Sequence, residues 1–166
     1  MQDLPAIRKA TVEDADQLLS AIRIIGDHLG TPERITASAE DLRRHGFGPS
    51  PAFTALIAEI TGEFAGMCLF FRSFSTWRGQ PGAYIQDLVV PEKFRGRGVA
   101  EALLHRTARH VRAEGGAYLR LSVDAANAGA QRFYERIGMV LQPQERIHAI
   151  YGEAFDLLAG LEESGV

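Results

Sequence analysis

Apolar positions along the chain change period several times, and each change predicts an element. Val12, Ala15, Leu18, Leu19, Ile22 and Ile25 recur at spacings of three and four, the stripe of an amphipathic helix. Thr11 stands before it with Asp14 three residues on, the pattern of a capping box, so the helix is expected to begin there, after a short strand over Ala6 to Ala10. A second, shorter helix follows Ser38. Phe53 to Ile60 and Phe64 to Phe74 are rich in strand formers, and Thr61-Gly62-Glu63 between them reads as a hairpin turn. Arg78 to Gly82 has loop composition, and Tyr84 to Val90 returns to a strand that Pro91 stops.

Helical spacing resumes from Gly98 to Glu114, where Ala100, Leu103, Leu104, Thr107, Ala108 and Val111 share a face and Gly115-Gly116 marks the end. Beyond it the pattern predicts a strand over Tyr118 to Val123, a helix over Asn127 to Ile137 capped by Gly138, and strands over Met139 to Leu141 and Ile147 to Tyr151. A terminal helix near Glu153 to Leu161 completes the chain. This order implies an α+β fold, a mixed sheet with helices on both faces. No repeat, low-complexity tract or linker interrupts it, so residues 1–166 are expected to form a single domain.

Composition narrows the possibilities. With 166 residues, 46% apolar and 23% charged, the chain can bury a core without staples or metals. A net charge of -3 supplies no global field for nucleic acid or anionic membrane, so any anion site must be built locally. No apolar run reaches the roughly 20 residues that a bilayer requires, and the first residues do not have the pattern of a secretory leader. The lone Cys68, inside Met67-Cys68-Leu69-Phe70-Phe71, reads as a core thiol in a reducing compartment, and a cytoplasmic protein is expected. The five histidines, His28, His45, His105, His110 and His148, have no metal-site spacing, so no metal is expected; His105 and His110 fall on the solvated face of their helix. No serine sits in a nucleophile-elbow context.

The local anion site is expected where Val90-Pro91-Glu92-Lys93-Phe94-Arg95-Gly96-Arg97-Gly98-Val99-Ala100 joins a strand end to a helix start. The first amides of a helix have no intrahelical acceptors and sit at the positive end of its dipole, so several N–H groups can converge on one phosphate. Gly96 and Gly98 permit torsions and close approach that a side chain would forbid, and Arg95 and Arg97 add charge. Taken alone, the same residues also describe a tight turn flanked by solvated arginines.

This loop, with Ala126-Asn127-Ala128-Gly129-Ala130-Gln131-Arg132-Phe133-Tyr134-Glu135-Arg136-Ile137-Gly138-Met139 downstream, resembles the GCN5-related N-acetyltransferase (GNAT) superfamily. The loop pattern of that family is Arg or Gln, two residues, Gly, one residue, Gly or Ala, which Arg95, Gly98 and Ala100 satisfy. The resemblance implies a twisted, mostly antiparallel central sheet and acetyl-coenzyme A as co-substrate. It implies that the amides of Arg95, Gly96, Arg97, Gly98, Val99 and Ala100 hold the pyrophosphate. The backbone of Leu88, Val89 and Val90 would grip the pantetheine, Asn127 would contact the cofactor arm, and Tyr134 would be the general acid. Asn127 also suits an N-cap, and Phe133 suits the core better than Tyr134, whose hydroxyl needs a partner. No metal enters this chemistry.

The stretch from Phe74 through Trp77 to Val90 resembles the diamine, polyamine and thialysine branch, which usually carries Glu-Asp where this chain has Gln86-Asp87. Asp87 is the acidic group expected to steer a cationic amine, or else an ordinary strand aspartate paired with an arginine; Gln86 can only hydrogen-bond, and Trp77 is a candidate pocket wall through cation–π contact or a packing or dimer residue. The expected function is direct transfer of an acetyl group to the primary amine of a small molecule: a diamine, a polyamine or a lysine-like amine. A protein or drug amine is the alternative acceptor, and Gln86 leaves room for a non-catalytic acyl-coenzyme A sensor. Relatives of the branch commonly pair, so a homodimer is expected; nucleic-acid and membrane partners are not.

Overall fold

The computed structural model describes residues 4–160. They fall into two compact units, one ending at Asp124 and the other starting at Ala125. The first unit holds a five-stranded sheet in the order β1 (Ala6–Lys9), β2 (Thr54–Ile60), β3 (Glu63–Ser75), β4 (Gln80–Val89), β5 (Leu119–Leu121). Successive pairs are antiparallel except β4 with β5, which run parallel. The α+β fold and its mixed sheet are therefore as the pattern implied, and the mostly antiparallel pairing is as the resemblance implied.

Period-two alternation in the central strands sorts side chains to two faces. Ala55, Ile57, Met67, Leu69 and Val89 form one core with Ala15, Leu18 and Leu19 of α1 (Ala15–His28) and Leu42 of α2 (Ala39–Gly46). On the opposite face, Cys68 and Phe70 lie against α3 (Val99–Ala113), where Val99, Leu103, Leu104, Thr107 and Val111 are buried. Two expected members of these stripes differ: Val12 is exposed because a 3-10 turn over Val12–Asp14 precedes α1, and Ala108 faces solvent. His110 is half-buried with its ring 5.5 Å from that of Phe70, whereas His105 is exposed as expected. The two rings meet edge to face, and this contact with β3 covers His110.

Local signals account for the boundaries. Asp14 accepts the Thr11 amide at 2.7 Å and two bonds from Arg8, which hold its carboxyl down at about 2; Arg8 also reaches Glu59 on β2. Ser38 and Asp41 form a reciprocal capping box at the start of α2. At the end of α3, Gly115 donates to Arg112 and Gly116 to Val111, the paired bonds of a glycine-terminated helix.

The second unit contains α4 (Ala128–Arg136) and α5 (Gly152–Leu158). The strands expected over Met139 to Leu141 and Ile147 to Tyr151 do not form among the described residues. Apolar composition makes a strand only where a neighbouring edge takes its hydrogen bonds. Here the chain turns on itself instead, with Glu145 donating to Gln142 around Pro143, which has no N–H to give a ladder. The terminal helix is found, although residue 161 lies outside the described residues.

The β2–β3 hairpin turns on Thr61 (φ 51°) and Gly62 (φ 77°), both left-handed as a two-residue hairpin loop of this twist requires. Threonine is poorly suited to that conformation because it is β-branched. Thr61→Asn should stabilise the fold by about 0.5–1 kcal/mol. Chemical denaturation checks this, and a fall in midpoint would contradict it.

Candidate active site

The site is built on an irregularity in β4. Leu69 of β3 pairs with Asp87 and Phe70 pairs with Ile85, so Gln86 is an extra residue, a β-bulge. On its other side β4 pairs with β5 only at Ala83 with Leu119, Tyr84 with Arg120 and Ile85 with Leu121. A bulge bends its strand and sharpens the twist, and β5 does not follow. The strand expected over Tyr118 to Val123 stops at Leu121, opposite the last residue before the bulge, and starts one residue late, at Leu119. Beyond Ile85, Gln86 to Val89 have no strand beside them on the β5 side among the described residues.

Side chains on this stretch differ in depth. Gln86 is exposed, Asp87, Leu88 and Val90 are half-buried, and Val89 is buried in the α1 core. Burial pushes the Asp87 carboxyl up to about 6, which leaves it ionised at neutral pH but far more basic than a surface aspartate. The neighbouring Cys68 is inert: burial pushes its thiol up to about 12, against a hydrogen bond with Thr107, so it is the expected core thiol.

The loop after β4 is anchored by buried Phe94, with Lys93 4.9 Å and Arg97 5.5 Å from its ring centroid. Lys93 also pairs with Glu63, and Arg95 reaches back to the Val90 carbonyl at 3.4 Å. Gly96 (φ 71°) and Gly98 (φ 75°) both adopt left-handed torsions, and a Cβ at either would meet nothing within 4 Å. Torsion, not crowding, requires glycine here, and the space above the turn is open. Gly98 caps α3, whose first internal bond runs from the Ala102 amide to the Gly98 carbonyl at 3.0 Å. The amides of Val99, Ala100 and Glu101 precede that bond and have no acceptor one turn back.

Gly66 escaped sequence reasoning. A Cβ there would lie 2.7 Å from the Val89 carbonyl oxygen and 3.2 Å from Val99 and Leu103. Its absence lets the first turn of α3 seat against the end of β4, which brings Leu88 to Val90 and the Gly96 to Ala100 turn together. A glycine inside a strand pattern is the signal that marks such an approach.

Trp77 is set apart. It is 99% exposed in the turn joining β3 to β4, at the opposite end of β4 from the glycine loop and roughly 20 Å along the strand from Asp87. In the second unit, the Asn127 side chain accepts the Ala130 amide at 3.1 Å and caps α4. Tyr134 is half-buried on that helix, its ring 5.2 Å from Phe133. Gly138 closes α4 as expected, donating to Glu135 while Met139 donates to Tyr134.

Residues 22–139 match the Acetyltransferase (GNAT) family. The chain belongs to that family. It is 33% identical over 165 residues to the thialysine N-epsilon-acetyltransferase of Bos taurus, an alignment spanning 93% of this chain and 96% of that one. Two solved structures share the fold at lower identity. One is an integron cassette protein from the mobile metagenome of V. cholerae (TM-score 0.77, 20% identity, 96% of this chain and 98% of that one). The other is a soil metagenomic aminoglycoside acetyltransferase in complex with sisomicin (TM-score 0.72, 17% identity, 89% and 95%). This GNAT protein is thus an acetyl-transferring enzyme, which sets aside the non-catalytic sensor that Gln86 had left open. Among its described residues no helix is long and apolar enough to cross a membrane.

The raised pKa of Asp87 makes a stability prediction. Because the folded state holds this proton more tightly than the unfolded chain, stability falls as pH rises from about 4 to about 6 and stays lowered above that. Asp87→Asn should therefore raise the melting temperature at pH 7.5 and change it little at pH 4. A variant less stable than wild type at pH 7.5 would show that Asp87 is held by a partner instead of merely buried.

Proposed function

We propose that this GNAT enzyme transfers the acetyl group of acetyl-coenzyme A to the primary amine of a small molecule. A single observation carries the reading: β4 loses its β5 neighbour beyond Ile85, directly before the open glycine turn. An unpaired strand edge next to unpaired helix amides suits a long ligand with amide groups at one end and a diphosphate at the other. In this reading Leu88, Val89 and Val90 hold the pantetheine through their backbone, and Arg95 to Ala100 hold the pyrophosphate. Asn127 contacts the arm while capping α4.

The acceptor must lose a proton, because an amine of pKa about 10.4 is roughly one part in a thousand neutral at pH 7. Asp87, with its carboxyl near 6, takes that proton directly or through water. The nitrogen lone pair then bonds to the acetyl carbon, the carbon–sulfur bond breaks, and the sulfur leaves as thiolate. Tyr134 gives the thiolate a proton, since a bare thiolate is poorly solvated in a closed cleft. Gln86, exposed beside Asp87, hydrogen-bonds the acceptor without adding charge. The similarity to the thialysine enzyme supports a lysine-like amine as acceptor, with diamines and polyamines next. Trp77 is distant from Asp87 along β4, so any contact it makes with an acceptor would require a long substrate or a second copy of the chain.

A thiol-release assay with acetyl-coenzyme A against lysine analogues, diamines, aminoglycosides and peptides tests the chemistry and the acceptor together; no release with any amine would refute the proposal. With the best acceptor, kcat/KM should fall below an apparent pKa near 6, and Asp87→Asn should remove that limb along with most of the activity. Tyr134→Phe should lower kcat by roughly ten- to a thousandfold with coenzyme affinity unchanged, and an unaltered kcat would remove Tyr134 from the mechanism.

A further inference from the structure

The parallel ladder between β4 and β5 has three rungs, preceded by backbone bonds from Ala83 to the Tyr118 carbonyl and from Ala117 to the Pro81 carbonyl, and it stops at Ile85 with no such bond beyond it among the described residues. Parallel pairing is slightly weaker per residue than antiparallel pairing, so so short a ladder is expected to fray. Two side-chain hydrogen bonds bracket it. Tyr118, just before β5, bonds Ser73 on β3 at 2.8 Å, and Ser122, just after β5, bonds the Tyr84 hydroxyl at 2.6 Å. The two bonds stand at opposite ends of β5, and only the second stands at the mouth of the divergence.

Tyr84 is itself held from behind. It pairs with Phe71 across the β3–β4 ladder, and the two rings stack at 5.3 Å with 27° between their planes. The hydroxyl is therefore presented at a defined height above β4, one residue before the last rung at Ile85 and two before the bulge at Gln86. Ser122 follows Leu121, the β5 partner of that last rung. The bond thus ties β5 down at the rung where β4 bends away.

From this we propose that Tyr84 and Ser122 are positioning residues that fix where β5 parts from β4, and so hold the Gln86 to Val90 edge open for the coenzyme. Neither touches the reacting atoms. With the bond gone, the last rung frays, the edge loses its fixed spacing, and binding must reorder it, a cost that appears in affinity and not in the chemical step. The inference rests on the acetyl-coenzyme A reading of this edge.

Calorimetry with coenzyme A and steady-state kinetics on full-length protein test it, with thermal unfolding to verify folding. Tyr84→Phe and Ser122→Ala should each weaken coenzyme A binding by about three- to tenfold and raise the KM for acetyl-coenzyme A similarly, with kcat within twofold. The double variant should be no weaker than either single, because one bond is lost in all three. Ser122→Thr, which keeps the hydroxyl, should restore affinity. Ser73→Ala, which breaks the bond at the far end of β5, should leave it within twofold. Unchanged affinity in folded Tyr84→Phe and Ser122→Ala, or an equal loss in Ser73→Ala, would overturn the positioning role. Wild-type protein that ignores coenzyme A would refute the acetyl-coenzyme A reading itself.

Discussion

A backbone N–H or C=O that leaves a sheet must find another partner, whether water, side chain or ligand, because leaving it buried and unpaired costs as much as a lost hydrogen bond. That constraint governs this molecule. The bulge at Gln86 bends β4 away from β5 after three rungs, and the strand then continues in extended form to Val89 with no strand along that edge among the described residues. The open edge and the side chains of Gln86 and Asp87 come from the same bend, since both residues stand at the bulge itself.

The surrounding packing keeps the edge next to the glycine turn. Gly66 permits α3 to approach the Val89 carbonyl, buried Val99 and Phe94 hold either side of the loop, and left-handed Gly96 and Gly98 turn the chain into the helix with its first amides free of internal acceptors. On the other face, Val89 inserts into the α1 core. Burial around the bulge does electrostatic work too: it lifts Asp87 into the range useful to a base at neutral pH, at a cost in stability that the fold bears elsewhere.

What could be read from sequence follows how local each interaction is. Thr11 and Asp14, Ser38 and Asp41, Gly62 and the Gly115-Gly116 stop act within a few residues, so their helices and turns were legible. Arg95, Gly96 and Gly98 were legible as a glycine turn entering a helix for the same reason, with both glycines left-handed and Gly98 capping α3. The bulge was not legible, because it is a property of register between β3 and β4, and no spacing within one strand reveals it. The early end of β5, the half-burial of His110 and the Tyr84–Ser122 bond depend likewise on neighbours distant in sequence. Met139 to Leu141 and Ile147 to Tyr151 show the converse: strand-forming residues without a ladder remain irregular.

The central claim is that the backbone of Gln86 to Val90 and the first amides of α3 form one continuous binding surface. Amide-resolved NMR during titration with coenzyme A tests it most directly. The account predicts that Leu88, Val89, Gly96, Gly98, Val99 and Ala100 shift together along one binding curve and gain protection from hydrogen exchange. Saturable binding that leaves those amides unmoved, with the shifts confined to another part of the sheet, would contradict it.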